Sequence, residues 1–187
     1  MARVNKTLLT VVVTVGGIIM LCCGAYTVVA LLSREGVYSD PKDICATSAV
    51  ASVAALGEVR ERRREPLKFG THPYQSCVLT LDAGGVQRTL TVAVDVPPTM
   101  NESKAHYNVV YDGAVNGGAR VEKVNGLGDR AFAAYTLTDD QLVSQLGLCD
   151  DRLYLSLQLV TGAGPRPADV RDSLRTVATE VMRALKE

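Results

Sequence analysis

The feature that most constrains this chain is a run of 25 residues, from residue 8 to residue 32, without one charged side chain. An α-helix rises about 1.5 Å per residue, so the run spans roughly 37 Å, more than the bilayer hydrocarbon thickness of about 30 Å. A cleaved signal peptide has an apolar stretch of only about 7–15 residues. A lipoprotein cysteine is disfavoured because Leu21, not a small residue, precedes Cys22. The run therefore predicts one retained transmembrane helix.

The charges on either side of this run predict its orientation. Arg3 and Lys6 precede it with no acid among them, whereas Arg34 and Glu35 follow it and cancel. Cytoplasmic flanks of membrane helices carry an excess of Lys and Arg. We therefore expect the N-terminus in the cytoplasm and the rest of the chain on the other side of the cell membrane.

The predicted division of the chain has four parts. Residues 1–7 are a cytoplasmic N-terminus, residues 8–32 contact membrane lipid as a transmembrane helix, residues 33–43 are a tether, and residues 44–187 form an extracytoplasmic domain. The chain holds 20 basic and 20 acidic residues, and two of the basic ones precede the apolar run, so the outer part has two more acids than bases. That balance lacks the basic footprint of nucleic-acid binding.

The outer part contains three cysteines, Cys45, Cys77 and Cys149. An oxidising compartment permits a disulfide and leaves one thiol over. We favour a Cys45–Cys77 bridge, which closes a loop of about 33 residues and contributes about 3–4 kcal/mol through chain entropy. Cys149 is then buried or bonded to another chain, and pairings that involve Cys149 remain open.

Period-two alternation of apolar residues predicts an antiparallel sheet. Turn residues 82–85 and 149–152 join neighbouring strands into hairpins. In the last strand Leu153, Leu155, Leu157 and Leu159 share one face. The predicted strands cover residues 76–81, 89–96, 119–124, 130–137, 141–148 and 153–160.

The C-terminal segment predicts an amphipathic helix, because apolar residues recur at spacings of three and four. Its stripe should pack on the leucine face of the sheet. Shorter helices are expected over residues 47–56 and 101–111. The predicted fold class is α+β, an antiparallel sheet packed by this C-terminal helix and the shorter helices, preceded by one transmembrane helix. The stripe consists of Val170, Leu174, Val177, Val181 and Leu185.

A basic segment lies between the first short helix and the sheet. It could bind anionic headgroups or wall polymers, but Glu58, Glu61 and Glu65 are interleaved with it, and that mixture favours a solvated strand or helix extension. The candidate anionic-ligand residues are Arg60, Arg62, Arg63, Arg64 and Lys68.

Several short motifs resemble an actinobacterial family of cell-envelope lipoproteins whose domain has no assigned function. They are Asp40-Pro41 ahead of Cys45, the pair Ser76-Cys77, and Gly-Leu-Gly-Asp-Arg-Ala at residues 126–131. The resemblance covers about residues 40–185. It implies an α+β extracytoplasmic domain and a Cys45–Cys77 bridge, and it implies no activity. Here a membrane helix replaces the family's lipid.

The sequence offers no catalytic set. Its two histidines are His72 and His106, there is no Gly-x-Ser-x-Gly elbow, and the cysteine spacings match no zinc pattern. We therefore expect that the protein is not an enzyme and that it has no catalytic residue, no cofactor and no metal. A cluster of His106 with an acid in a cleft would reverse that expectation.

The preferred function is a membrane-anchored extracytoplasmic binding domain of the cell envelope. Its ligand is undefined: a lipid, an apolar small molecule or a wall component, held between sheet and helix, since a core of small apolar residues can leave a cavity. The alternative is a scaffold or accessory protein that contacts another membrane or secreted protein. That contact would use the membrane helix or the sheet face bearing Tyr154 and Gln158.

Overall fold

The structure, a computed structural model, describes the residues 37–39, 43–46, 53–69, 72–138, 140–162 and 167–186. The predicted transmembrane segment, residues 8–32, lies outside them. No helix among the described residues is long and apolar enough to cross a bilayer. Of the helix predicted over residues 47–56, residues 53–55 form a single 3₁₀ turn and residues 47–52 lie outside the described part.

The described residues form an antiparallel sheet with two longer helices, which confirms the α+β class. The basic segment forms the first strand, and the helix expected at residues 101–111 extends to Asn116. The elements are β1 (Glu58–Phe69), β2 (His72–Ala83), β3 (Val86–Asp95), α1 (Met100–Asn116), β4 (Arg120–Lys123), β5 (Arg130–Leu137), β6 (Gln141–Asp150), β7 (Leu153–Gly162) and α2 (Pro167–Leu185).

The strands lie in the order β1-β2-β3-β7-β6-β5-β4, and every neighbouring pair is antiparallel. The chain thus lays down two meanders. Each begins at an edge of the sheet and ends at the centre, where β3 pairs with β7. A helix follows each meander, α1 after β3 and α2 after β7. Helix α1 connects the two meanders, and helix α2 follows the second one as the last described element.

One face of the sheet, the α2 face, is an aliphatic core. The leucines of β7 that the sequence placed on one side are 0% exposed, and the stripe of α2 is buried in the same cluster. Leu79, Leu90 and Leu146 extend the cluster across β2, β3 and β6. The predicted packing of the C-terminal helix on the leucine face is therefore confirmed.

The disulfide joins Cys45 to Cys77, as favoured, and Cys149 is a buried free thiol. The bridge ties residues 43–46 to β2 on the α2 face. Arg64 pairs with Asp43 at 2.5 Å on the same turn, and the Arg62 guanidinium donates to the Cys45 carbonyl at 3.5 Å. This corner is thus held covalently and by two contacts from β1.

Residues 37–39, inside the predicted tether, pack into the domain. Tyr38 is 2% exposed, and its hydroxyl donates to the Asp150 carboxylate. The amide of Ser39 donates to the Leu185 carbonyl at 2.9 Å, and Lys186 Nζ lies 4.9 Å from the Tyr38 ring centroid. Burial, followed by the Asp150 contact, raises the pKa of Tyr38. The chain therefore enters the domain at the β6–β7 turn and the end of α2.

Replacing Leu174 with Ala tests the α2 packing. Leu174 is 1% exposed, and deletion of a buried leucine leaves a cavity. The free energy of unfolding should fall by about 2–5 kcal/mol, measured by chemical denaturation of the full chain. The matched control is Thr176→Ala on the exposed side of α2, expected within about 0.5 kcal/mol of wild type. Equal losses in the two variants would contradict the packing.

Candidate functional site

The opposite face of the sheet, the α1 face, is built from other residue types. The strand register places Asp95, Tyr154, Cys149 and Arg130 side by side on β3, β7, β6 and β5. Among the described residues, helix α1 contacts β4, β6 and β7 most, and Thr80, Thr89 and Thr91 on this side of β2 and β3 are half-buried. This face therefore combines polar and aromatic side chains with a helix that covers only part of it.

The first turn of α1 is fixed to the β6–β7 turn. Thr99 caps the helix, since its side chain accepts a hydrogen bond from the Glu102 amide at 3.3 Å. Ser103 is fully buried, and its hydroxyl lies 2.8 Å from the Asp151 carbonyl oxygen, to which it donates. These contacts set where the helix begins on the sheet.

A buried polar contact joins the middle of α1 to the centre of the sheet. His106 Nδ1 lies 2.8 Å from Asp95 Oδ2, and both side chains are nearly inaccessible. The His106 ring meets the Tyr154 ring edge-on at a centroid distance of 6.0 Å. Removal of one partner from a buried polar contact is costly, so this contact favours one docked position of the helix.

An aromatic cluster follows on the next turn of α1. Tyr107 and Tyr111 stack at 6.1 Å, and the Phe132 ring of β5 meets them edge-on at 5.5 Å and 5.4 Å. Gly147 makes room for that ring: a Cβ there would contact Phe132 Cε1 and lie 2.7 Å from Cζ. The glycine therefore allows Phe132 to lie over β6, where it supports α1.

Between α1 and the β4–β5 edge lies a cleft of about 440 Å³, the α1 cleft. Its apolar lining comes from the aromatic cluster and Val121, and three charged residues, Lys123, Asp129 and Arg130, also line it. Tyr111 is 37% exposed, so part of its ring is accessible. The cleft thus pairs an aromatic wall with charged groups.

The Gly-Leu-Gly-Asp-Arg-Ala turn positions two of those charges. Gly128 has φ +60°, and a Cβ there would lie 2.8 Å from the Cys149 carbonyl oxygen. The Asp129 amide donates to that oxygen at 3.0 Å, and the Asp129 carboxylate accepts from the Asp151 amide at 3.3 Å. The turn is therefore pressed against β6, and it leads directly into Arg130 in the cleft.

The basic segment on β1 forms a different pattern. Arg60 pairs with Glu58 and Asp82, and Arg63 pairs with Glu65 at 2.7 Å. Arg64 pairs with Asp43 and Arg62 donates to a backbone carbonyl, as described above, while the Lys68 side chain lies outside the described part. Carboxylates therefore pair with Arg60, Arg63 and Arg64, whereas Lys123 and Arg130 form no ion pair among the described residues.

The histidine–acid contact does not open into the α1 cleft. His106 and Asp95 lie beneath the helix, and neither lines the cleft. Burial, followed by the Asp129 charge, raises the pKa of the nearby Cys149 thiol, and burial raises the pKa of Tyr154. Both groups are therefore protonated and weakly nucleophilic at neutral pH. The His106–Asp95 contact is therefore suited to holding helix α1 on the sheet.

The face considered for a protein partner is only partly accessible. Tyr154 is 2% exposed beneath α1, whereas Gln158 lies on the uncovered part of the sheet. The residues that the sequence analysis missed are Tyr107, Tyr111, Phe132 and Lys123. The four-residue spacing of the two tyrosines on a predicted helix was the available signal, and Arg130 was visible only as part of a turn motif.

No protein-family model and no curated protein matches this chain. Among solved structures, one similar chain is the Zhui aromatase/cyclase from Streptomyces sp. R1128. It is 14% identical, the alignment covers 73% of this chain and 74% of that chain, and the TM-score is 0.21. Such a low TM-score supports no conclusion about the fold or function of this chain.

Replacing Gly147 with Ala tests how the aromatic cluster is seated. The new methyl group displaces the Phe132 ring, so the free energy of unfolding should fall by about 1–3 kcal/mol. The control is Gly162→Ala, where a Cβ meets no atom within 4 Å. Adding Phe132→Leu to Gly147→Ala should recover part of the loss in a double-mutant cycle by chemical denaturation. Additive effects would contradict the contact.

Proposed function

We propose that this chain is a membrane-anchored extracytoplasmic domain of the cell envelope that binds a small ligand in the α1 cleft. The observation that carries the proposal is the cleft itself, with an aromatic wall and charged groups on one side of a sheet. Its volume, about 440 Å³, falls within the range of ligand pockets. Convergent polar groups beside an apolar wall are the usual composition of such a pocket.

The two faces of the sheet support the choice of this site. On the α2 face the leucines of β7 are 0% exposed, and the aliphatic stripe of α2 packs into the same cluster. On the α1 face the helix leaves Tyr111 partly accessible beside Lys123 and Arg130. A ligand therefore reaches named side chains there without displacing the core.

The membrane and envelope parts of the proposal come from the sequence. The apolar run of residues 8–32 is long enough to cross a bilayer, and its basic N-terminal flank favours a cytoplasmic N-terminus. The Cys45–Cys77 disulfide supports an oxidising compartment for the domain. The resemblance to actinobacterial envelope lipoproteins points to the same setting.

Labelling of intact cells with a membrane-impermeant maleimide tests the location. Gln158→Cys places a thiol on the exposed part of the sheet, and we expect it to react in intact cells. The matched variant Asn5→Cys lies before the apolar run and should react only after permeabilisation. Labelling of the position-158 thiol only after permeabilisation would overturn the proposed orientation.

Substitution of Asn108 tests the cleft. Asn108 is exposed and lines the cleft, so Asn108→Trp fills it from α1, whereas the next residue, Val109, is 53% exposed and does not line it. The probe is the neutral planar molecule indole-3-acetamide, measured by saturation-transfer NMR on the full chain in nanodiscs, with empty nanodiscs as background.

We expect wild type and Val109→Trp to bind this probe equally. Asn108→Trp should bind at least about tenfold more weakly, a loss of about 1.4 kcal/mol. Thermal unfolding of both variants verifies that the fold is kept. Unchanged binding by Asn108→Trp, or an equal loss in Val109→Trp, would overturn the cleft as the site.

A further inference from the structure

We propose that the ligand of the α1 cleft is a planar aromatic acid, whose ring packs on Tyr111 and whose anionic group binds Arg130 and Lys123. This inference rests on the proposed function, since it defines the ligand class of the same site. It differs from the candidate anionic-ligand patch on β1, because it assigns the anion to cations on β4 and β5.

The two cations lie on the same face of neighbouring strands. Lys123 is paired in register with Phe132, and Arg130 lies two residues before Phe132 on β5, so both side chains project toward α1. Neither cation is ion-paired among the described residues, although both are beside Asp129. The Asp129 carboxylate instead accepts from the Asp151 amide. The three charged side chains that line the cleft therefore carry a net charge of +1.

The charged residues on the other face of β4 differ from those in the cleft, because they form ion pairs within the chain. Arg120 and Glu122 lie on the other face of β4 and pair with each other at 2.8 Å. Arg171 of α2 also contacts Glu122, at 3.6 Å. On that face the cations already have carboxylate partners within the chain. On the cleft face Lys123 and Arg130 form no ion pair with a described residue, and a guanidinium near an ammonium group favours a carboxylate ligand.

The aromatic wall defines the body of the ligand. Tyr107 and Tyr111 stack only 6.1 Å apart, with an interplanar angle of 12°, so no third ring fits between them. Tyr111 is 37% exposed and lines the cleft, and the aliphatic Val121 of β4, which packs against the aromatic cluster, also lines it. A cleft lined by a partly accessible aromatic ring and an aliphatic side chain suits a flat apolar group.

A pair of isosteric probes tests the charge preference. Indole-3-acetate carries a carboxylate where indole-3-acetamide carries a neutral amide of the same shape. With the full chain in nanodiscs and empty nanodiscs as background, we expect the acetate to bind at least about fivefold more tightly, as two partly exposed ion pairs allow. Raising the salt concentration should weaken acetate binding and leave amide binding unchanged.

The double variant Lys123→Gln/Arg130→Gln should reduce the acetate-to-amide preference to less than about twofold while amide binding persists. The control Arg120→Gln removes a cation from the other face of the same strand and should keep the wild-type preference. A preference that survives in the double variant, or that Arg120→Gln lowers equally, would overturn the assignment of the anion site.

The results also separate this inference from the proposed function. If both probes bind the cleft equally in wild type, the aromatic-acid assignment fails and the cleft remains the site. If neither probe binds, both fail.

Discussion

The Phe132 ring, seated over Gly147, is the contact on which the functional face depends. Because Gly147 has no Cβ, the ring lies across β6 and presents its surface to Tyr107 and Tyr111. Helix α1 is thereby held at its centre, while the Ser103 hydroxyl and the His106–Asp95 contact fix its first turns. The α1 cleft is the space left between this docked helix and the β4–β5 edge.

The two faces of the sheet pack their helices through different residue types. The α2 face buries leucine and valine against a fully amphipathic helix, and the disulfide closes its corner. The α1 face packs a helix through tyrosine, histidine and serine, which present polar atoms as well as apolar area. A helix docked in this way leaves polar groups and ring surface accessible at its side. This asymmetry supports the proposed ligand site on the α1 face, which leaves the main core closed.

Much of the framework could be predicted because it repeats with a period. The stripe from Val170 to Leu185 predicted the buried face of α2, and the alternating leucines predicted the buried face of β7. Local turn residues predicted the hairpins. Helix α1 offered no such stripe, because its buried residues are Ser103, His106 and Tyr107. The contact of His106 with Asp95, and the convergence of Tyr111 with Lys123 and Arg130, depend on which side of the sheet the helix crosses. The periodicity of apolar residues predicts which face of an element is buried. It does not predict on which side of the sheet a helix packs.

Amide chemical-shift mapping of the full chain during titration with indole-3-acetate tests the central claim most directly. The account predicts saturable shifts concentrated in residues 107–111 of α1 and residues 121–132 of β4, the following turn and β5, with the β1–β3 strands unaffected. Shifts centred on β1, or no saturable shift beside α1, would contradict a binding site created by the docking of this helix on Phe132.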